Sequence, residues 1–339
     1  MKAQYANLVN HNRNRLEQVL PLSTPYVLAI GVCDLCNFKC KFCAPQYSEE
    51  GRAFAKQMMD KLLFKKIVDD MTEFSEPFKI MRLASGEPLL NKDLPWMISY
   101  AKEKKVADKI EIITNGSLLS LKLNRQLVEA GLDRIRISIE GIDAEAYREM
   151  AGISLEWDKF LGNIKDLYEH RNQCEIYIKT VDAAVDTVEK KELFMNVFGN
   201  MADKIFVDHV IPNWADYEQI HDDFEIQRKE AIHGGLSYKE LAICPFPFYY
   251  PHISATGLVT PCCVDWRHDI TVGDVTKNSL KNIWGGRAYL EFLMNMLKKG
   301  RKDSHTLCAK CDMPCYNPID DVDEFRIQIL QRFQEKYGD

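Results

Sequence analysis

The chain has 339 residues, 46% of them apolar and 28% charged, with a formal net charge of −6. That length suits one large α/β domain with a small appendage, and a buried core that needs no disulfide staple. No dominant basic run gives the footprint of a nucleic-acid-binding protein, no apolar stretch of about 18 residues marks a membrane span, and the polar opening at residues 1–7 lacks a signal-peptide core, so the chain reads as cytoplasmic.

In chain order, short β-branched runs alternate with amphipathic ones. Residues 26–32 predict a strand, and 61–74 a helix with Leu62, Leu63, Ile67, Met71 and Phe74 on one face. A second strand follows at 78–84 with a helix at 94–105, then a third pair at 109–114 and 121–130, closed by Gly131. Residues 134–140 predict the fourth strand, followed by helical stretches to about residue 170. The fifth strand is 175–181 with its helix at 188–201, and the sixth is 204–210. This alternation predicts a parallel sheet with right-handed crossovers. Periodicity alone leaves open whether the sheet curls into a barrel or stays open and doubly wound. In either architecture ligands gather at the C-terminal strand ends, so the residues just after Val32, Ala84, Thr114 and Ile139 become the first suspects. Residues 211–235 are polar and acidic; from Cys244 the chain is Pro/Gly-punctuated and Cys-rich, which predicts a small domain organised by a metal centre. Residues 322–337 have the periodicity of a helix that docks on the body.

Eleven cysteines are unusual where disulfides rarely persist, and they point first to metal or cluster ligands. The first group, Cys33, Cys36, Cys40 and Cys43, follows directly on the first strand. A compact loop with three thiolates suits a [4Fe–4S] cluster with one iron left open for a small molecule. The competing reading is a structural zinc site, but only three residues separate Cys36 from Cys40, whereas zinc-ribbon pairs need roughly 12 to 20 between them. Cys33 reads as a small buried thiol.

The spacing Cys36-x3-Cys40-x2-Cys43, with Phe42 before the last cysteine, resembles the signature of the radical S-adenosylmethionine (SAM) superfamily. Three further motifs agree, each at a strand end. Ser85-Gly86-Glu87-Pro88 resembles the family's Gly-Gly-Glu-Pro loop beside the amino group of bound SAM, with Ser85 in place of the first glycine. Thr114-Asn115-Gly116 ends the third strand. Ser138-Ile139-Glu140-Gly141 resembles the Ser-Ile-Asp-Gly segment near the ribose, with Glu140 replacing the aspartate. The resemblance implies an α/β fold with a partial (β/α)6 TIM-like barrel, and SAM contacts from Phe42, Ser85, Gly86, Glu87, Asn115, Ser138 and Glu140.

The second group is Cys244, Cys262, Cys263 and Cys308-x2-Cys311-x3-Cys315. It resembles the auxiliary-cluster region called SPASM in its long form and twitch in its short form. Too few cysteines are present for the two-cluster form, which implies one auxiliary [4Fe–4S] cluster on Cys244, Cys262, Cys308 and Cys311, with Cys315 or Cys263 as alternative ligands. Gly257 permits a hairpin that brings Cys262 back towards Cys244. Zinc is again the competing metal. The expected division is an N-terminal extension at 1–25, the radical SAM barrel at 26–240, the small Cys-rich auxiliary domain at 241–320 and a C-terminal helix at 321–339.

By this resemblance the chain cleaves SAM to a 5′-deoxyadenosyl radical, with a flavodoxin or ferredoxin as electron donor. A short segment before the first strand favours a small polar substrate, sugar- or cyclitol-like, oxidised in the manner of a dehydrogenase with the auxiliary cluster as acceptor. The alternatives are a peptide or protein maturase or an epimerase, and, from another class, a non-catalytic iron–sulfur carrier or a zinc-binding protein. Cys174, Lys179 and His209 are candidates for catalysis, and Arg136 and Asp208 are further polar residues on the inner strands. Tyr249, Tyr250, His252, Trp266 and His268, near the second cysteine group, are candidates to line a substrate pocket.

Overall fold

The computed structural model of the chain describes residues 3, 5–6, 14–54, 56–212, 224, 231–232 and 236–338, so most of the polar stretch at 211–235 lies outside the described residues. Six parallel strands form the body: β1 (Val27–Gly31), β2 (Phe78–Ala84), β3 (Ala107–Thr114), β4 (Arg134–Ile139), β5 (Glu175–Val181) and β6 (Lys204–Asp208). Each strand lies beside the next in sequence, with no reversal of order between β1 and β6. A doubly wound sheet needs such a reversal, so the open question from periodicity resolves to the curling, partial barrel. On the other edge β7 (His252–Ile253) pairs with β1 in parallel, and β8 (Leu258–Thr260) and β9 (Gly273–Asp274) continue the sheet in antiparallel fashion.

The crossover helices begin where polar side chains satisfy their free N–H groups. Asp60 accepts from Leu62 and Leu63, Ser120 from Leu123, Asp143 from Ala146 and Thr187 from Lys190. The helix Lys61–Met71 buries Phe64, Ile67, Val68 and Met71. The expected stripe is corrected at one position: Leu62 is 80% exposed, because the face turned to the sheet begins at Phe64. A helix at Arg287–Lys299, not anticipated in the Cys-rich segment, buries Tyr289, Leu293, Met296 and Leu297. The tail helix Arg326–Tyr337 docks through Ile329 and Phe333.

The strands bury their outward side chains, and some inward ones keep part of their surface, although Ala29, Glu111, Tyr177 and Phe206 on the inward rows are buried as well. On β4, Ile135, Ile137 and Ile139 are fully buried while Arg134, Arg136 and Ser138 are half-buried. Register aligns the inward positions into rows. Ala29, Arg82, Glu111, Arg134 and Glu175 lie side by side across five strands. One step nearer the C-terminal ends run Ile113, Arg136 and Tyr177, and above them Ser138, Lys179 and Phe206. The lumen therefore has a lining of mixed charged and aromatic residues rather than a purely apolar plug.

Candidate cluster and cofactor site

The loop leaving β1 carries the first thiol group over the strand ends. Cys33 is fully buried and bridges to Met58, as a small core thiol would. Its Sγ lies 3.6 Å from the Leu35 carbonyl oxygen. Cys36 Sγ accepts from the Phe38 N–H at 3.4 Å and lies 3.9 Å from Asn115 Nδ2. The loop is pinned from below: the N–H groups of Lys39 and Lys41 donate to the carbonyls of Ala151 and Met150 at 2.9 and 3.1 Å, and Phe38 meets Tyr147 edge to face. The stretch Tyr147–Gly152, which follows the Glu140 motif, is thus the platform for the cysteine loop. Cys43 accepts at its carbonyl from Gln46 and Tyr47, which starts a short helix Ala44–Tyr47.

The Ser85–Glu87 segment fits against this loop through its backbone. Ser85 and Gly86 both adopt positive φ, 77° and 52°. A Cβ on Gly86 would lie 2.3 Å from the Leu35 carbonyl oxygen and 2.5 Å from that of Cys33, so glycine serves both conformation and close approach. The Glu87 N–H donates to Leu35 O at 2.7 Å. The Glu87 carboxylate is 1% exposed and wholly engaged: Oε1 accepts from Thr114 Oγ1 at 2.6 Å and the Leu89 N–H at 2.9 Å, and Oε2 from the Asn115 N–H at 2.7 Å. Glu87 therefore ties the end of β2 to the end of β3, and Asn115 in turn reaches Asn37 at 2.9 Å.

These groups lie close enough to influence one another's protonation. Burial pushes the thiol of Cys36 up to about 11 and that of Cys43 to about 12, and raises Cys40 well above its ordinary value. Cys40 also feels Cys43 and Cys36, and all three feel Glu140. Burial raises the Glu140 carboxyl to about 7, offset in part by Lys179. Ser138 stands on the inward face of β4 just before it.

The second thiol group sits against the far side of β1. The turn at Gly257 (φ 91°) returns β8 alongside β7 and delivers Cys262, as expected from the sequence. Cys244 feels Cys311 and Cys308, and Cys262 feels Cys263, Cys244 and Cys311. Burial raises Cys244 well above the ordinary value and Cys311 to about 12. The two alternatives have other partners as well, although Cys263 also contacts Cys262. Cys315 Sγ lies 3.3 Å from Arg301 Nη2 and accepts the Leu241 N–H at 3.4 Å. Cys263 faces Tyr250 and Arg82, towards the lumen.

Arg301, which the sequence reading passed over, closes this segment. Its side chain is 1% exposed and donates to the carbonyls of Leu241 (3.3 Å) and Cys311, while Nη2 pairs with Glu240 at 3.1 Å.

Both thiol groups fit iron–sulfur clusters by the chemistry of the donor set. Burial outweighs the nearby Lys56 and Arg301 and holds these soft thiols protonated, so metal charge is what would make them thiolates.

The sequence profile of the radical SAM superfamily matches residues 30–181, and that of an iron–sulfur cluster-binding domain, SPASM, matches residues 244–312. The chain is a radical SAM protein with a C-terminal SPASM domain. Its cofactors are SAM, a [4Fe–4S] cluster and auxiliary iron–sulfur. SuiB of Streptococcus suis, solved with S-adenosylmethionine, shares the fold with a TM-score of 0.62 and 18% identity over 91% of this chain and 77% of SuiB. BtrN, solved with AdoMet and 2-DOIA, shares it with a TM-score of 0.52 and 19% identity over 84% of this chain and 92% of BtrN. A protein of Methanococcus maripaludis named as a probable GTP 3′,8-cyclase is 34% identical over 128 residues, 38% of this chain and 41% of that one. The GTP 3′,8-cyclase of Staphylococcus carnosus is 33% identical over 141 residues, 40% of each chain. The chain thus spans about two fifths of the length of the curated relatives it matches.

The remaining candidates separate cleanly. Lys179 lies inside the lumen near the strand ends, 3.4 Å from Asp208. His209 Nδ1 lies 2.8 Å from Asp182 Oδ2. Cys174 precedes β5 at the opposite end of the barrel, 1% exposed, and its Sγ lies 3.9 Å from the Glu175 carbonyl oxygen, which separates it from the strand-end loops. Tyr250 enters the lumen and meets Arg82, and His252 is buried between Ser85 and Thr260. Trp266 and His268 pack instead around Phe54. No helix among the described residues is long and apolar enough to cross a membrane.

Proposed function

We propose that this chain oxidises a small polar alcohol, sugar- or cyclitol-like, within the lumen of its barrel. In this reading residues 26–240 form the radical domain, with the SAM-cleaving cluster on Cys36, Cys40 and Cys43. Residues 241–320 hold one auxiliary cluster on Cys244, Cys262, Cys308 and Cys311. When bound, the two clusters supply redox chemistry, one giving the electron that splits SAM to methionine and a 5′-deoxyadenosyl radical and the other taking up an electron from the substrate. Atoms and electrons balance: one electron enters with SAM cleavage, a hydrogen atom passes from the substrate carbon to give 5′-deoxyadenosine, and the substrate then gives up one electron and one proton to become a carbonyl. The lysine–carboxylate pair Lys179–Asp208 and the pair His209–Asp182 stand at the strand ends to take that proton.

The observation that carries this reading is the shared lumen. Its inward rows carry Arg82, Glu111, Arg134, Arg136, Ser138 and Lys179 beneath the cysteine loop, and the segment that bears the second thiol group supplies Tyr250 to the same interior. A confined, polar interior favours a small hydroxylated molecule and holds a reactive carbon radical beside one chosen hydrogen.

Anaerobically reconstituted protein, dithionite and SAM are expected to yield 5′-deoxyadenosine. A substrate deuterated at the alcohol carbon should pass its label to that product while turning into a ketone. A flavodoxin or ferredoxin should replace dithionite. Absence of 5′-deoxyadenosine would leave a carrier, zinc in place of iron would leave a structural site, and label transfer from a peptide but from no small alcohol would make the chain a peptide modifier.

A further inference from the structure

The floor of the lumen holds more positive charge than it neutralises. Glu111 is fully buried on β3, and three guanidiniums reach it: Arg82 Nε at 2.5 Å, Arg134 Nη1 at 3.1 Å and Arg136 Nε at 3.4 Å. Arg134 also serves Glu175 at 2.7 Å, and Glu175 takes Lys109 at 2.9 Å. Among the described residues, four cations thus meet two carboxylates. Arg82 and Arg134 spend donors in hydrogen bonds, Arg82 on Glu111 and Tyr250, Arg134 on Glu111 and Glu175. Arg136 does not: its Nε is buried and finds no hydrogen-bond partner among the described residues. A buried donor without an acceptor is costly, and a guanidinium beside two others is more so. Burial lowers the Arg136 pKa, opposed by Glu111 and reinforced by Arg82 and Arg134. The side chain keeps 19% of its surface on the lumen side of a strand whose outward residues are sealed.

We propose that Arg136, assisted by Arg82, seats an anionic oxygen group of the substrate, a carboxylate or a phosphate, on the floor of the lumen. The planar fork of arginine matches either group with paired hydrogen bonds. The next level of the lumen fixes the orientation. Near the strand ends the Lys179 cation is already paired with Asp208, and the Glu140 carboxyl is close to it, so that level offers an anion less than Arg136 does. Ser138 is two residues along β4 from Arg136, and a strand rises roughly 3.3 Å per residue, so the strand-end loops begin about 7 Å above the anchor. A substrate held by its anionic end therefore presents a carbon only a few bonds away to the loops that carry the cysteines. Calling the ligand the substrate rests on the proposed function; the anion site itself does not.

The test titrates the cluster-loaded protein with inorganic phosphate and, separately, with acetate, by calorimetry at low ionic strength. The wild type is expected to bind at least one of them at least tenfold more tightly than Arg136→Gln, with Arg136→Lys in between, and the preferred anion separates phosphate from carboxylate. In anion-free buffer the thermal midpoint of Arg136→Gln is expected to equal or exceed that of the wild type, because the substitution relieves the crowding of three guanidiniums around the single carboxylate of Glu111. Equal binding by wild type and Arg136→Gln, no binding by the wild type, or a midpoint several degrees lower in the variant would each overturn the inference, the last by making Arg136 a structural residue. Wild-type SAM cleavage without anion binding would remove this inference alone, and anion binding without cleavage would remove the proposed function alone.

Discussion

Replacing Glu111 with glutamine tests whether the lumen floor is a charge cluster held together by one carboxylate. The side chain is fully buried, and its neighbours Arg82, Arg136 and Arg134 outweigh the cost of burial and hold its pKa down at about 2. Against an ordinary value near 4.3, that displacement corresponds to roughly 3 kcal/mol of stabilisation. Breaking a buried pair by removing one partner costs a similar amount, about 3–5 kcal/mol, because the remaining charge is stranded. At about 2 °C per kcal/mol for a chain of this size, the thermal midpoint of Glu111→Gln should fall by about 6 °C at fixed iron content and scan rate. The sign with pH follows from the depressed pKa. The stabilisation is fully present above the unfolded-state value near 4.3 and is lost as pH falls through about 2, so the gap between wild type and variant should stay flat between about pH 5 and 8 and close only in strong acid. Adding Arg136→Gln to Glu111→Gln should recover part of the loss, giving a coupling of about 1 kcal/mol or more in a double-mutant cycle. A gap below about 1 kcal/mol, or one that opens and closes within the neutral range, would refute the idea that Glu111 organises the floor.

Three further outcomes follow from the cysteine loops. Cys311→Ala should remove about half of the bound iron and sulfide, whereas Cys315→Ala, whose Sγ is taken by Arg301 and Leu241, should leave both unchanged by elemental analysis. Gly86→Ala should weaken SAM binding at equilibrium about tenfold or more, since it adds backbone strain of about 1–3 kcal/mol and pushes a methyl group into the Leu35 carbonyl. Arg301→Leu should strip the auxiliary site before the other one, seen as loss of one of two cluster signals by electron paramagnetic resonance, and Arg301→Lys should retain more of it because a cation still reaches some of the same carbonyls.

The strands were legible because apolar runs in a parallel sheet face helices on the outside; β2 and β5 fall at the residues their patterns indicate. Order among strands was not legible, since periodicity records which face of a strand is apolar and not which strand lies beside it. The face of Lys61–Met71 was misjudged at Leu62 because a leucine near a helix start adds to the apolar count whichever way it points. The helix Arg287–Lys299 carries a readable stripe of Tyr289, Leu293, Met296 and Leu297, hidden by the expectation of a loop-rich metal domain. The lumen charges also left a signal: Arg134, Arg136 and Ser138 alternate with isoleucines along β4, and Arg82, Glu111 and Lys179 interrupt the apolar runs of β2, β3 and β5. Arg301 left none, because it sits in a lysine-rich turn and only tertiary contact makes it a buried clasp.

One buried histidine shows how the two thiol-bearing segments act as parts of one wall. His252 on β7 lies 3.2 Å from Ser85 Oγ through Nε2 and 3.4 Å from Thr260 Oγ1 through Nδ1, and Thr260 Oγ1 donates to the Cys262 carbonyl at 2.9 Å. Because the threonine hydroxyl has already given its proton to that carbonyl, it can only accept from the ring, so Nδ1 carries the hydrogen and Nε2 accepts from Ser85. That tautomer requires a neutral imidazole, and burial, with His268 adding, pushes the His252 pKa down to about 3. Gly31 leaves the space in which Ser85 and His252 meet, since a Cβ there would lie 3.3 Å from Ser85 Oγ and 3.4 Å from His252 Nε2. The parallel pairing of β7 with β1 is therefore more than an added strand. It places an uncharged, directional link between the loop beside the first cysteine group and the hairpin that delivers Cys262, so a displacement of either reaches the other through fixed hydrogen bonds rather than through a linker.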